Sequence, residues 1–338
     1  DNYPVEVWMA YQTDLISYDS ANDVYRSRLY APLQQAGKRT TRGATDQLDL
    51  SFGGNVNDKF YFGLGLGITF VTYQTNAEYS ERDALDTIPD FQDYTFSSSL
   101  RETGYGINAK FGMIYKPVQW MRVGLAYHIP TFYSLTESFQ ADMLANYDTF
   151  YYTLPVEAYP FKYKLRTPMK GVASASFYFK ENGFFSVDYE FLNYAGSRFN
   201  FGSDYKDVTA EVNAGQKSTY TFGHVVRAGI EGAYKSLRVR GGYAFSSVPY
   251  KKSYIAANIP KGFTEAKHNG SLGIGYRGKR FYADFAYLFG FTKNADYPYA
   301  DFEIRNTDIT HSIYLTLGWK MSKDVARNFK KDTPPQDF

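Results

Sequence analysis

The strongest constraint in this sequence is the stretch from Phe60 to Val71, FYFGLGLGITFV. Its even positions are all large and apolar, whereas its odd positions are mostly glycine or threonine. Because successive side chains point to opposite faces of a strand, this pattern predicts one apolar face and one nearly bare face. The outer face of a soluble sandwich would instead carry charge. The stretch therefore indicates a strand whose apolar side contacts lipid and whose small side faces a crowded lumen.

The same alternation recurs along the chain and predicts about eleven strands. They cover residues 46–56, 60–78, 103–116, 121–134, 159–179, 184–193, 219–234, 236–246, 268–277, 280–291 and 308–320. Outward positions on the first and last of them are Leu48, Leu50, Phe52, Ile313, Leu315, Leu317 and Trp319. Tilted strands of about 9–11 residues span the apolar core of a bilayer. We therefore predict an all-β fold, an antiparallel transmembrane β-barrel of the outer-membrane type.

The connections between these strands alternate in length. Short turns are predicted near residues 57–58, 117–119, 181–183, 235–236 and 278–279. Long connections are predicted at 79–102, 135–158, 194–218, 247–267 and 292–307. Barrels of this type have short periplasmic turns and long extracellular loops. The alternation therefore predicts that the N-terminus of this chain is extracellular and that its C-terminus is periplasmic.

These connections also predict how the chain is divided. We expect residues 1–45 to be an extracellular loop segment, residues 46–321 to hold the barrel strands with their long loops, and residues 322–338 to be a periplasmic tail. A short amphipathic piece inside the first segment carries Val5, Trp8, Met9, Leu15 and Ile16.

The composition agrees with a barrel and excludes other classes. Aromatic residues make up 19% of the chain, with 33 Tyr and 28 Phe, as expected for girdles of rings at both membrane interfaces. No apolar run approaches the ~18 residues of a spanning helix. The chain has no cysteine, which excludes disulfides and a thiol nucleophile. Its net charge of +2 is too small to indicate nucleic acid.

The number of predicted strands conflicts with a complete barrel. Single-chain bacterial barrels have an even number of strands. Eleven strands that begin outside the cell do not meet this requirement. We therefore expect an odd number of upstream strands to be supplied by a missing N-terminal fragment or by a separate chain.

Several blocks of the predicted barrel carry a recognisable pattern. Residues 104–115, GYGINAKFGMIY, are followed by RVGLAYHIP at 122–130. LDLSFGGNVNDKFYFGLGLGITF lies upstream, and RAGIEGAY and LRVRGGYAFSSVPY lie downstream. In this order the blocks resemble strands of the long-chain fatty acid and hydrocarbon outer-membrane transporter family (FadL/TodX). The resemblance covers residues 46–320, and the acidic and aromatic loops are similar to its Bacteroidetes-type branch.

The resemblance implies a complete barrel of fourteen strands, of which this chain supplies about eleven. It implies passive passage of hydrophobic molecules, such as fatty acids and aromatic hydrocarbons, through the bacterial outer membrane. A hatch and three strands, all upstream of Asp1, would complete the protein. The implied partners are a hydrophobic small molecule, outer-membrane lipid and the missing N-terminal fragment.

Ligand-binding candidates follow from the same resemblance. Basic residues of the family's fatty-acid site align with Ala77 and about Ile255, and neither of these is basic. The nearest substitutes are Arg82, Lys251 and Lys252. Capture of a carboxylate therefore lacks its expected partners in this chain.

Two of the predicted loops, 79–102 and 135–158, have an aromatic density that soluble loops rarely have. Their large apolar residues include Phe91, Tyr94, Phe96, Phe139, Met143, Leu144, Tyr147, Phe150, Tyr151 and Tyr152. One interpretation is an access surface for a hydrophobic ligand, with Phe150, Tyr151 and Tyr152 as candidate contacts. The alternative is that the rings simply pack the loops into a lid.

Charged residues on the inward faces of the strands form another group of candidates. The lumen-lining positions are Lys110, Arg122, Asp188, Glu190, Arg227, Glu231, Arg238, Arg240 and Asp284. A paired network that satisfies polar groups inside the barrel is the favoured interpretation. The alternatives are a polar lining for a solute path and a docking surface for the hatch.

A proline inside the predicted strand 159–179 predicts a local irregularity. Pro168 cannot donate a hydrogen bond to the ladder, and such residues are confined to edges and bulges. A bulge is favoured over a functional gap in the wall.

The remaining motifs do not indicate an enzyme, a cofactor or a metal. The four histidines are scattered, and haem ligation would need imidazoles held above an apolar slot. The predicted function is therefore passive outer-membrane transport of hydrophobic small molecules. The alternative is a non-transporting barrel that serves as a scaffold or shuttle in an envelope protein complex. A hydrophilic porin is disfavoured, because no constriction loop with clustered acids facing bases is evident.

Overall fold

The structure of the chain is a computed structural model, and it describes residues 4–30, 32–180, 182–258, 266–278, 280–299 and 302–319. It divides into two compact units. The first unit comprises Asp1–Leu48, Ile68–Gly106 and Tyr133–Lys164, and the second comprises Asp49–Gly67, Ile107–Phe132 and Leu165–Phe338. None of the helices in the described ranges is long and apolar enough to cross a membrane. The predicted tail, 322–338, lies outside the described residues.

The N-terminal part of the first unit is a helix followed by a hairpin. Helix α1 spans Val5–Gln12, and strands β1 (Ile16–Asp19) and β2 (Val24–Ser27) pair antiparallel. Met9 on the helix is fully buried, and Leu15 is 3% exposed. The short amphipathic piece of the sequence therefore packs its apolar side into the unit.

Three long strands follow, β3 (Gln34–Val56), β4 (Phe60–Arg82) and β5 (Phe91–Val118). Strand β4 pairs with both β3 and β5. Segment 1–45 therefore holds a helix, a hairpin and the start of β3 as well as loops, and its extracellular location stays a prediction. The connection predicted at 79–102 is largely strand. Apolar alternation marks only part of each strand, because backbone pairing continues where both faces are polar.

The rest of the chain alternates strands with two further helices. The strands are β6 (Met121–His128), β7 (Phe132–Tyr147), β8 (Tyr151–Glu157), β9 (Phe161–Arg166), β10 (Lys170–Tyr178), β11 (Gly183–Asn193), β12 (Arg198–Asn200), β13 (Phe222–Tyr234), β14 (Leu237–Ser246), β15 (Lys267–Arg277), β16 (Phe281–Tyr299) and β17 (Phe302–Trp319). The helices are α2 (Lys206–Thr219) and α3 (Lys252–Asn258), and short 3₁₀ turns lie at Tyr194–Gly196 and Ser203–Tyr205.

Two more of the predicted long connections are strand rather than loop. The connection at 135–158 contains most of β7 and all of β8, which pair with each other. The connection at 292–307 continues β16 and β17. Neither face of these extensions is uniformly apolar, so the alternation that marks a lipid-facing strand is missing there. The connections at 194–218 and 247–267 contain α2 and α3.

In the second unit the strands pair antiparallel in the order β6, β10, β11, β13, β14, β15, β16 and β17, and β5 pairs with β6. The turn between β3 and β4 is tight, since Asn57 and Asp58 both have positive φ, 53° and 52°. Among the described residues no pairing joins β3 to β17, so the sheet is not closed into a barrel. The expected upstream strands stay a prediction.

Two prolines interrupt strands that the sequence predicted as continuous. Strand β6 ends before Pro130, and Pro168 separates β9 from β10. Two threonines bridge the interruptions. The Thr131 N–H donates to Thr167 Oγ1 at 2.9 Å, and the Thr167 N–H donates to the Thr131 carbonyl at 3.0 Å. The two breaks are therefore joined by hydrogen bonds, as in a bulge and unlike a gap.

The faces of the sheet in the second unit differ in the predicted way. On one face large apolar side chains are exposed, with Leu50 at 75%, Leu66 at 53%, Leu272 at 68% and Leu315 at 66%. The other face carries glycines and charged side chains. The alternation therefore predicts the phase of these strands correctly, and the fold is the all-β, outer-membrane type.

Candidate functional site

Ion pairs on the polar face of the second unit bring several of the predicted inward charges together. At their centre the Arg240 guanidinium contacts Glu231 at 2.5 Å and Asp284 at 2.7 Å. Arg277 contacts the other oxygen of Asp284 at 2.8 Å, and Arg238 lies 3.8 Å from Glu231. Three cations therefore share two carboxylates across strands β13 to β16.

The strand register and one glycine position these groups. Glu231 lies opposite Arg240 in the ladder of β13 and β14, whereas Gly275 lies opposite both Arg238 and Asp284. A Cβ atom at Gly275 would come within 2.4 Å of a carboxylate oxygen of Asp284. The missing side chain therefore allows groups from β14 and β16 to meet over β15.

A second group of charges surrounds Glu190, which is 8% exposed. Its carboxylate lies 3.1 Å from the Arg227 guanidinium and 3.8 Å from the Lys170 ammonium. Asp188 lies opposite Arg227 in the ladder of β11 and β13. Burying a carboxylate without a partner is strongly unfavourable, so the two cations are what permits the burial of Glu190.

Two other predicted inward cations have partners of their own. Lys110 contacts Asp49 at 3.0 Å. The Arg122 guanidinium lies 4.6 Å from the centre of the Tyr178 ring and 3.2 Å from its hydroxyl oxygen. Carboxylates and aromatic faces both stabilise such cations. These contacts agree with the favoured interpretation of a paired network, whereas its position along a lumen stays a prediction.

Two members of these ion-paired groups, Lys170 and Arg277, were not among the inward charges predicted from the sequence. Both lie at strand ends, where few alternating neighbours define the phase. Their positions next to outward-facing neighbours would have placed them on the polar face. Strict alternation from the centre of each strand is the pattern that identifies them.

The basic ligand candidates lie at the ends of strands and helices. Arg82 is exposed at the last residue of β4, in the first unit. In the second unit, Lys251 is half-buried and its N–H donates to the Thr219 carbonyl at 2.9 Å. Lys252 is exposed at the first residue of α3. Their role in ligand binding stays a prediction.

Two of the three aromatic ligand candidates, Phe150 and Tyr152, contact Tyr147 in the first unit. Phe150 stacks on its ring with centroids 4.8 Å apart, and Tyr152 and Phe91 each meet it edge-on at 5.9 Å. The Tyr147 hydroxyl donates to the Thr13 carbonyl at 2.8 Å. Burial raises the pKa of Tyr147 to about 12. The ring is therefore half-buried and held by contacts with the core of the first unit.

The same aromatic group continues into the hydrophobic core of the first unit. The buried members of this core are Met9, Leu15, Ile88, Phe91, Ala141, Met143 and Ala145, and Tyr94, Phe96, Phe139 and Tyr147 pack against them. Tyr151 instead is 70% exposed, and Phe150 is 47% exposed. These contacts favour the packed lid for most of the rings and leave Tyr151 as the most exposed of the three aromatic candidates.

Asp83 orders the turn between β4 and β5. Its carboxylate accepts hydrogen bonds from the N–H groups of Thr87 at 2.6 Å, Ile88 at 2.5 Å and Leu85 at 3.3 Å. Partial burial would raise the pKa of this carboxyl, but these donors outweigh burial and hold the pKa below its ordinary value. The sequence suggested no structural role for this residue.

A polar cavity of about 690 Å³ lies within the first unit. It is lined by hydroxyl, amide and charged groups, among them Lys38, Thr40, Gln74, Asn76, Glu78, Ser97, Ser98, Ser99, Gln140, Asp142 and Glu157. Ala77, which aligns with a basic position of the fatty-acid site, also lines it. Among the described lining residues three acids thus outnumber one lysine, and the cavity has no basic cluster to attract a carboxylate.

Comparison with known proteins shows a likeness in structure. No protein-family model and no curated protein matches this sequence. The toluene transporter TbuX of Ralstonia pickettii matches with a TM-score of 0.51 and 15% identity, over 83% of this chain and 69% of that chain. The CymD monoaromatic hydrocarbon channel gives a TM-score of 0.42 and 14% identity, over 85% of this chain and 88% of that chain. The Pseudomonas putida toluene transporter TodX gives a TM-score of 0.41 and 12% identity, over 85% of this chain and 90% of that chain.

At these identities the likeness concerns the fold. This chain has the fold of the toluene transporter TbuX, and the resemblance noted in the sequence is thereby confirmed at the level of the fold.

Proposed function

We propose that this chain forms the wall of a passive transporter for hydrophobic small molecules in the bacterial outer membrane. The observation that carries the proposal is the shared fold with TbuX, a toluene transporter, over 83% of this chain. The ligand class is hydrophobic small molecules, with aromatic hydrocarbons and fatty acids as the two candidates.

The two faces of the sheet support a position between lipid and a polar interior. The exposed apolar face matches the lipid-facing band of an outer-membrane barrel, and the ion-paired face matches a polar interior. With short turns on the periplasmic side, the long hairpins of residues 79–102 and 135–158 lie outside the cell. In this orientation they form the access surface, with Tyr151 exposed on it.

The charges of the first unit favour an uncharged hydrocarbon over a fatty acid. The cavity beside Ala77 has Glu78, Asp142 and Glu157 against Lys38. A carboxylate that approaches this surface meets mostly like charge, which disfavours its binding. A hydrocarbon carries no charge and is not opposed in this way.

Uptake in cells tests the proposal. Cells that produce the protein should accumulate labelled toluene faster than cells that lack it, and a labelled long-chain fatty acid should show a smaller gain. Tyr151→Ser should slow toluene uptake, whereas the matched variant Tyr159→Ser, which alters an exposed tyrosine outside both hairpins, should leave it unchanged. Absence of any gain for both compounds would contradict the proposal.

The packed aromatic core of the first unit favours a second candidate function. The first unit, packed around Met9, Phe91 and Met143, offers a stable surface, as a scaffold or shuttle in an envelope complex would require. Cross-linking in intact cells would then recover specific envelope proteins with the chain. Specific cross-links without toluene uptake would support this candidate against transport.

A further inference from the structure

Three pairs of tyrosine and histidine repeat on the exposed apolar face of the second unit. The distances from the hydroxyl oxygen to Nδ1 are 2.7 Å for Tyr189 and His224, 2.7 Å for Tyr243 and His268, and 2.6 Å for Tyr287 and His311. The two members of each pair lie on neighbouring strands. In each case the phenylalanine two residues after the tyrosine lies opposite the histidine. We call the three pairs the Tyr–His belt.

The first two histidines are staggered along the ladder. The carbonyl of His224 on β13 accepts a hydrogen bond from the N–H of Ser247, which lies just beyond β14. His268 on β15 lies opposite Phe245 of β14. Phe245 precedes Ser247 by two residues. His268 therefore lies two residues nearer the short turns than His224 does, and the two histidines are two strands apart.

The same stagger separates the second histidine from the third. His268 lies opposite Phe291 of β16, whereas His311 on β17 lies opposite Phe289. The stagger is again two residues for two strands. A shift of one residue from each strand to the next is the shift found in a barrel whose strands are tilted by about 36° from the barrel axis. With that tilt the three histidines lie at the same height along the axis.

An aromatic row lies at the opposite ends of these strands, and its distance from the Tyr–His belt gives the height of the apolar face between them. Tyr234, Tyr276 and Trp319, on β13, β15 and β17, are 71%, 50% and 65% exposed. Each lies eight to ten residues after the histidine of its strand. At ~3.3 Å per residue and a tilt of ~36°, this separation corresponds to a height of about 21–27 Å. The apolar band of an outer-membrane barrel is ~25 Å tall, so the belt and the aromatic row mark its two edges.

The Tyr–His belt places hydrogen-bond donors at one edge of the apolar band. Each phenol forms a hydrogen bond with Nδ1 of its imidazole, and among the described residues these are the side-chain hydrogen bonds found for His224, His268 and His311. A neutral imidazole that accepts at Nδ1 carries its proton on Nε2, and a protonated imidazole donates from both nitrogens. Among the side chains that the structure describes on β16 and β17, Lys293 and Arg305 lie farther along this face, and both are cationic.

We propose that the Tyr–His belt binds the phosphate groups of membrane lipids at one interface of the bilayer. The tyrosines orient the imidazoles, and Nε2–H donates to phosphate oxygens. Protonation of the imidazoles strengthens the contact through charge. The proposal depends on the barrel fold and not on transport of any compound, so the two can fail independently.

Solid-state NMR on the unaltered chain tests the contact directly. The full chain, labelled with ¹⁵N-histidine, is folded into phosphatidylglycerol bilayers, and the loss of ¹⁵N signal through coupling to ³¹P is measured. We expect this loss for Nε2 of His224, His268 and His311. His128, which lies opposite Lys110 and Lys170 on the polar face, is the internal control and should show none. Signals of the belt that equal those of His128 would overturn the proposal.

Stability in vesicles provides a second, independent test. Wild type, the triple variant His224→Gln/His268→Gln/His311→Gln and the control His128→Gln are unfolded with urea from phosphatidylcholine vesicles with and without phosphatidylglycerol. Measurements are made at about pH 5.5 and at about pH 8, since a protonated imidazole binds an anionic headgroup more strongly than a neutral one. Wild type and the control should gain stability from the anionic lipid at the lower pH, and the triple variant should lose that gain. A gain that persists in the triple variant would overturn the proposal, and the NMR measurement decides if that variant does not fold.

Discussion

Arginine substitutions at two adjacent positions of β17 test the lipid-facing assignment within one strand. Leu315 is 66% exposed on the apolar face. Thr316 follows it on the opposite face, beside Asp284 in the ladder of β16 and β17. The variants Leu315→Arg and Thr316→Arg add the same side chain at nearly the same height. They differ in the face that receives the charge.

The expected cost follows from the height of Leu315 in the bilayer. It lies four residues before Trp319, which corresponds to about 11 Å at ~3.3 Å per residue and a tilt of ~36°. That height is near the middle of an apolar band ~25 Å tall. Arginine at the midplane of a barrel's lipid face costs about 2–4 kcal/mol. At 1.4 kcal/mol per factor of ten, the folding equilibrium should fall roughly 30- to 700-fold.

The cost at Thr316 should be smaller. Its side chain faces the polar side of the sheet, opposite Asp284 in the ladder, so the added charge is not placed on the apolar face. We expect a loss below about 1 kcal/mol, as for polar substitutions away from lipid. Thr69 would be a poor control, because it is 2% exposed and an arginine there would meet steric conflict as well.

The assay is urea unfolding from lipid vesicles, with folding followed by the altered migration of folded barrels on cold gels. Leu66→Arg on β4, also outward and 53% exposed, should repeat the result for Leu315→Arg. Equal losses for Leu315→Arg and Thr316→Arg would show that the assignment of faces, and with it the barrel, is incorrect.

Three further outcomes follow from individual contacts. Glu190→Gln should lower the free energy of unfolding by about 1–3 kcal/mol, because it removes the negative charge that Arg227 contacts at 3.1 Å, and urea titration would show no change if that ion pair is not formed. The depressed pKa of Asp83 stabilises the β4–β5 turn above the ordinary aspartate pKa, and this stability is lost as pH falls through the folded pKa. Limited proteolysis of that turn should therefore accelerate at acid pH in wild type and depend less on pH in Asp83→Asn. Tyr147→Phe removes the hydrogen bond to Thr13 and should lower the free energy of unfolding by about 0.5–1.5 kcal/mol. In an absorbance titration the variant should lose a tyrosine that ionises near pH 12. A titration curve identical to that of wild type would contradict this.

Local sequence was sufficient wherever a strand has one apolar face and one polar face. Around Leu66, apolar residues alternate with glycine, and around Leu315 they alternate mostly with small or polar residues. A period of two with unlike faces is typical of a strand and of no helix, so strand, phase and exposed face follow directly. The turn at Asn57 and Asp58 was equally predictable, because these residues tolerate the positive φ that a tight hairpin needs.

The same criterion missed strands whose apolar face packs into a core or is broken by polar residues. Ala141, Met143 and Ala145 lie on one face of β7 but are buried in the first unit, and the pairing of Ala145 with Tyr152, or of Lys293 with Thr307, depends on a partner strand. At Pro130 and Pro168 the criterion made the opposite error and predicted continuous strands, because the apolar alternation continues across both prolines whereas the backbone ladder is interrupted. Backbone pairing in these regions is a property of two segments together.

By itself the sequence determined the class of fold, the direction in which most strand residues face, and the presence of charges on the inner face. Only the tertiary structure decided which charges meet, such as Arg240 with Asp284, and that Met9 and Met143 share one core. It alone also aligned the histidines of the Tyr–His belt. A periodic pattern specifies the face of a strand, but height along the sheet depends on the register with every neighbour, and register accumulates over many strands.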